Sequence, residues 1–86
     1  MAVYVDDARI PWRGLHWSHL VAESTEELHQ AAEALGISRT RVQQGGRTAH
    51  YDVPEEFRQR AIELGVAEPI HWRDLVARRD GLAAGS

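Results

Sequence analysis

The sequence predicts an α/β fold: one small domain with a short, mainly parallel sheet of three to four strands and about three helices. Three observations predict it. Short β-branched apolar runs alternate with helical patterns. Two helices end in the same phrase, "EALGIS" and "IELGVA", a glycine cap followed by a β-branched residue. The chain has only 86 residues, and one of that size buries about 60–65% of its unfolded surface, enough for a single modest core. Residues 1–80 are read as that domain and 81–86, "GLAAGS", as a mobile tail.

In chain order, "AVYV" reads as a buried strand ending at Asp6 and Asp7. "DARIPWRGLHWSHLVAE" is irregular, broken by Pro11 and Gly14, with a second short strand in "SHLVA". "STEELHQAAEALG" is the clearest helix: Ser24 and Glu27 have capping-box spacing, and Leu28, Ala31, Ala32 and Leu35 share a face. "ISRTRVQQGGRTAHYD" alternates loosely around a Gly45-Gly46 turn, as two short strands or one strand and an open loop. "DVPEEFRQRAIELG" is a second helix, with Asp52 as N-cap and Pro54 in the first turn. "VAEPI" is an edge strand, because Pro69 cannot donate to a ladder. "HWRDLVARRDG" is the third helix, with Trp72, Leu75 and Val76 expected to face inward.

Composition narrows the function. Cysteine is absent, which removes disulfide and thiolate chemistry. No stretch approaches the roughly 18 apolar residues of a membrane span, and no signal peptide is visible, so a cytoplasmic protein with no membrane partner is expected. All ten basic residues are arginine, and the net charge of −3 argues against broad duplex binding. The charge is uneven. Residues 1–36 hold six acids against two arginines, whereas residues 37–50 hold Arg39, Arg41 and Arg47 and no acid.

The candidate chemistry lies at the element ends. In open α/β sheets ligands gather beyond the carboxyl ends of strands, where Asp6 and Asp7 stand; the alternative is a turn-capping Asp. His16 and His19 have H-x-x-H spacing and with His29 or His50 could complete a zinc set, but no strong zinc motif is matched and no metal site is assigned. His50 precedes a helix start and suits a general base or phosphate donor. In the plainer reading of "HYD", Asp52 caps the helix and Tyr51 packs in the core. Arg39, Arg41 and Arg47 surround a flexible turn and could fold over a phosphate, or simply be solvated.

The segments "VYVDDARIPWRG", "WSHLVAES", "EELH", "LGISR", "HYDVPEEFRQRAIELG" and "HWRDLV" run in the order of a family of short bacterial and phage proteins, domain-of-unknown-function family 4031, which the chain resembles over residues 1–78. The resemblance implies that Asp6, His19, His29, His50, Tyr51 and Asp52 belong to a shared polar pattern, and it implies no assigned activity. Family members often carry an aromatic near positions 42 to 44, where this chain has Val42-Gln43-Gln44. Two fragments, the first strand ending in Asp and "RAIELGVAEPIHW", are also similar to PIN-type Mg²⁺-dependent nucleases.

Three functions follow as expectations. The first is a site for a phosphate-bearing ligand, a nucleotide or nucleic-acid end. In it His50, His19 and Asp6 are catalytic, and His29, Tyr51, Asp52, Arg39, Arg41 and Arg47 bind the ligand, with Mg²⁺ left open as a cofactor. The second is a non-catalytic module that forms a homodimer or docks a partner through Trp12 and Trp17. The third is a PIN-like nuclease, which needs two carboxylates on one cation.

Overall fold

The structure is a computed structural model that describes residues 2–85. Its elements follow in the order β1 (Val3–Val5), β2 (Ile10–Trp12), β3 (Leu15–Ala22), α1 (Thr25–Ala34), β4 (Tyr51–Pro54), α2 (Glu55–Glu63), β5 (Glu68–Pro69) and α3 (Trp72–Arg78). The five strands form one mixed sheet. The α/β class and the three helices are as expected. The strand directions differ from a mainly parallel sheet: among the described residues β1, β2 and β4 all pair antiparallel with β3, and only β1 with β5 is parallel.

The reason is a hairpin in the segment that reads as irregular. Trp12 pairs with Leu15 across Arg13 and Gly14, which have φ of 51° and 76°. Two successive positive φ values make the tight turn whose twist matches antiparallel strands. With β3 so placed, Trp17 has Ile10 on one side and Pro54 on the other, and Leu20 has Val5 and Tyr51. Thus β1 and β2 follow one another along one edge of β3, interrupted by residues 6–9, and β4 lines the other edge.

Side chains alternate across a strand, and the two faces of this sheet differ sharply. On one face Val5, Leu20, Ala22, Tyr51 and Val53 pack against Leu28, Ala31, Ala32 and Leu35 from α1 and Ala61 from α2. Ser24 caps α1 as its spacing predicts, accepting from the Glu27 amide while its hydroxyl donates to the Glu27 carboxylate. Gly36 and Gly65 close α1 and α2 with positive φ, 78° and 70°.

The other face carries Trp17, His19 and Val21 and is covered only in part. Asp7 accepts from the Trp72 amide and His71 caps the next turn, which anchors the start of α3. Arg78, at its end, donates to the Tyr4 hydroxyl. Trp72 and Val76 do not pack inward; both stay more than two-fifths exposed and border an open cleft. The segment 82–85, which reads as tail, is hydrogen-bonded: Ala83 donates to Ala22, Ala49 to Ala83 and Gly85 to Arg47, with Leu82 and Ala83 buried. Ser86 lies outside the described residues. No helix among them is long and apolar enough to cross a membrane.

Candidate active site at the junction of two clefts

Asp6 leaves the end of β1 and is 2% exposed. Its carboxylate accepts from the His19 ring Nδ1 at 2.7 Å, the His19 amide at 2.8 Å and the Ala8 amide at 3.2 Å. The Asp6 amide in turn donates to the His19 carbonyl. Burial alone would raise this carboxyl's pKa. The hydrogen bonds from the His19 ring and amide, the imidazole charge and the Ala8 amide outweigh it and hold the pKa below the ordinary 3.8. Because a carboxylate only accepts, His19 Nδ1 is the donor and Nε2 is turned away from Asp6.

Arg58 completes the support. Its side chain is buried, and Nε donates to the Asp6 carbonyl at 2.7 Å. It reaches from α2 across the end of β1, so one arginine ties the helix layer to the strand end that carries the carboxylate. The sequence held a signal for it: Arg58 and Ala61 are three apart and share the buried face of α2.

His50 stands just before β4, bridged to Gln43 on the far side. Its Nδ1 donates to the Thr48 carbonyl at 2.9 Å, which turns Nε2 toward Asp52 Oδ1 at 3.4 Å. The Asp52 contact, helped by the Thr48 carbonyl and opposed by burial, raises the His50 pKa above 6.5, and the same contact lowers that of Asp52 below 3.8. Asp52 is not the cap of α2. It lies in β4 opposite His19, and the cap position falls to Pro54, which makes no side-chain bond there. The strand runs two residues further than the cap reading allows, because Tyr51 and Val53 are both core residues and hold it extended.

The His19 and His50 rings meet edge to face at 5.3 Å between centroids. With Asp52 they offer three donor atoms that lie within 4.8 Å of one another, the one such set able to hold a metal ion among the described residues. Asp6 is outside it, since both of its oxygens are engaged by His19 and the backbone.

Three of the expected site residues belong elsewhere. Tyr51, between His50 and Asp52 in sequence, points to the opposite face and is fully buried there. His29 on α1 joins it, Nδ1 to hydroxyl at 2.6 Å. Tyr51 is a core residue and His29 its half-buried partner, and neither is part of the His19 cluster. His16 pairs with Pro11 on the hairpin and is not in the metal-competent set. Arg39 is bound to Glu33 at 2.8 Å on the surface, whereas Arg47 and Arg41 each border a cleft beside the cluster.

The first cleft, about 590 Å³, runs from Asp6, His19 and His50 to Arg47 and Arg79, walled by Val21, Trp72, Leu75 and Val76. The second, about 530 Å³, lies between Trp12, Trp17 and Arg41 and contains His19, His50 and Asp52. Ile10, His19 and His50 border both. The α3 wall of the first cleft was missed from the sequence because a helix's apolar stripe looks the same whether it faces a core or a groove.

Fold and site together define a small mixed-sheet α/β protein with a histidine–aspartate centre on the open face of its sheet. The family described as "Protein of unknown function (DUF4031)" matches residues 3–81, and the chain belongs to that family. No curated protein and no solved structure matches it.

Proposed function

We propose that this domain binds a phosphate-bearing ligand, a nucleotide or nucleic-acid end, and acts on its ester at the His19–His50–Asp52 centre. One observation carries the reading: the two imidazoles and the carboxylate converge where two clefts meet, and each cleft has an arginine on its border. Arg47 or Arg41 supplies the charge-assisted hydrogen bonds that hold a phosphate. His19, oriented by buried Asp6 as a base is oriented in hydrolytic dyads, turns Nε2 toward a water or the ester. The apolar walls accept a base or sugar. Arg39, His29 and Tyr51 have no part in this reading, since they lie away from the convergence.

A thermal-shift panel of inorganic phosphate, nucleoside mono- and diphosphates and short oligonucleotides tests it. A ligand at a hundred times its dissociation constant stabilises by about 2.7 kcal/mol. That gain is expected for wild type and expected to be lost in His50→Ala and Arg47→Gln. No shift with any phosphate-bearing ligand, or one that both variants keep, defeats the reading.

A second reading has its own observation. Ile10, Trp12 and Leu15 are all about half exposed on the β2–β3 hairpin, an apolar group of the kind that anchors a homodimer or partner. Sedimentation of wild type against Trp12→Ser separates it from the first. The PIN-like alternative finds no support, because Asp6 does not join Asp52 in the metal-competent set.

A further inference from the structure

We infer that His19 Nε2, His50 Nε2 and Asp52 Oδ1 form the binding site of one divalent first-row transition-metal ion, of the Zn²⁺ class. The inference rests on the cluster being the reaction centre and names what that centre holds.

The first argument is spacing. His50 Nε2 and Asp52 Oδ1 are 3.4 Å apart. Ligands about 2.1 Å from a tetrahedral ion are separated by about 3.4 Å. All three donor atoms lie within 4.8 Å of one another, so rotamer adjustments of about 1 Å close the set without moving a strand.

The second argument is the far side of each ring. A metal-bound imidazole nearly always donates its other N–H to an oxygen, which fixes the tautomer and aims the lone pair. Both histidines do so here: His19 Nδ1 to the Asp6 carboxylate and His50 Nδ1 to the Thr48 carbonyl. An ordinary surface ion pair between His50 and Asp52 explains neither the Asp6–His19 bond nor the aim of His19 into the same space. His29 supplies the contrast. Its Nδ1 is also bonded, to Tyr51, but among the described residues it belongs to no group of three metal-competent side chains.

The third argument is donor chemistry. Two imidazoles and one carboxylate suit Zn²⁺, Fe²⁺ or Mn²⁺, whereas Mg²⁺ prefers oxygen alone. Three protein ligands would leave a position open, the pattern of catalytic rather than structural sites, and His19 and His50 border both clefts. An ion there would take up the His19 Nε2 lone pair, so its bound water, of lowered pKa, would replace His19 as the base, and the ion would polarise a phosphoryl oxygen. Asp6 is then a positioning residue that acts through His19.

The test uses the full chain, stripped with EDTA and titrated by calorimetry with Zn²⁺ and, optically, with Co²⁺. One ion per chain is expected, with the visible bands of four- or five-coordinate Co²⁺. His19→Ala, His50→Ala and Asp52→Asn should each weaken binding tenfold or more. Asp6→Asn should weaken it roughly 10- to 100-fold while leaving the stoichiometry at one. His16→Ala and His29→Ala should leave it unchanged. Circular dichroism confirms that each variant is folded. Should one fail to fold, ¹⁵N imidazole spectra of wild type decide: Zn²⁺ should move the Nε2 signals of His19 and His50 and not that of His29. Absence of stoichiometric binding, binding that survives in His50→Ala, or unmoved His19 and His50 signals overturns the inference. No phosphate ligand enters these measurements. Metal bound without any phosphate effect refutes the proposed ligand alone, and phosphate bound without metal refutes the metal site alone.

Discussion

Asp6 is the residue on which the centre turns. A buried carboxylate is costly unless fully bonded, and this one accepts three hydrogen bonds, from one ring and two amides. Hydrogen bonds to a charged group contribute about 1.5–3 kcal/mol, so Asp6→Asn should lower the urea-derived stability by about that much. The pH dependence of the metal-free protein has two limbs. Asp6 and Asp52 have folded pKa values below 3.8, so their stabilisation is complete above that value and is lost as pH falls through the folded values. His50 is raised above 6.5, so its stabilisation is complete below 6.5 and is lost as pH rises through the folded value. Urea midpoints in EDTA should therefore peak between these two pH values. The acid limb should be the larger, because the half-exposed His50–Asp52 pair is screened. Asp52→Asn should flatten the alkaline limb; an alkaline fall of undiminished size would mean that His50 is held by something else. Asp6, His19, His50 and Asp52 were all legible as polar residues at element ends. Their partners were not: pairing Asp6 with His19 depends on strand register, and no local pattern encodes that.

At the scale of elements, the β2–β3 hairpin decides the topology. Gly14 has φ of 76°, and a Cβ there would meet nothing within 4 Å. The cost of Gly14→Ala is therefore conformational and not steric, about 1 kcal/mol or somewhat more. Hydrogen exchange should show the loss first in the amides of Ile10, Trp12 and Leu15–Trp17. Protection unchanged there would mean that the turn does not hold the register. The helices were legible because capping and periodicity are local: Ser24, Glu27, Gly36 and Gly65 fall where their chemistry places them. The strands were less so. "HWSHL" sets Trp17 and His19 on the open face and a buried Ser18 on the other, so no polar–apolar alternation marks it as a strand. Asp52 was misassigned for a related reason. Asp-x-Pro is a good cap signal, but the buried pair Tyr51 and Val53 keeps the chain extended through Pro54.

Across the whole molecule, the apolar core and the histidine–aspartate cluster are sorted onto opposite faces of one sheet. Half of the twelve buried residues that form the core are alanines, which lets α1 and α2 lie close to the strands. So small a core has little reserve. Leu28→Ala, at a fully buried site, should cost about 2–5 kcal/mol yet leave ligand or metal affinity of the folded fraction unchanged. His50→Ala should abolish binding at a smaller cost in stability. Parallel measurement of urea midpoints and binding in both variants checks this; equal damage to both properties in either one would mean that the faces are coupled, with Arg58 the obvious link. The fold class, the helix count and the edge position of Pro69 could be read from residue patterns. The strand directions and the open second face could not, since both depend on which strands meet across dozens of residues.

The alternation through His50, Tyr51 and Asp52 has a practical consequence for anyone wishing to rebuild this centre in another protein. Copying the three residues transfers nothing by itself. The middle one demands a hollow beneath helices, the outer two demand a bare surface above, and the neighbouring strand must bring its own imidazole with a carboxylate behind it. The smallest portable unit is the antiparallel pair β3 and β4 together with the end of β1, which sets Asp6 beside His19. A host must offer a sheet roofed on one side only. A barrel interior or a sheet sandwiched between two full helix layers is the wrong recipient, however well the residues superpose.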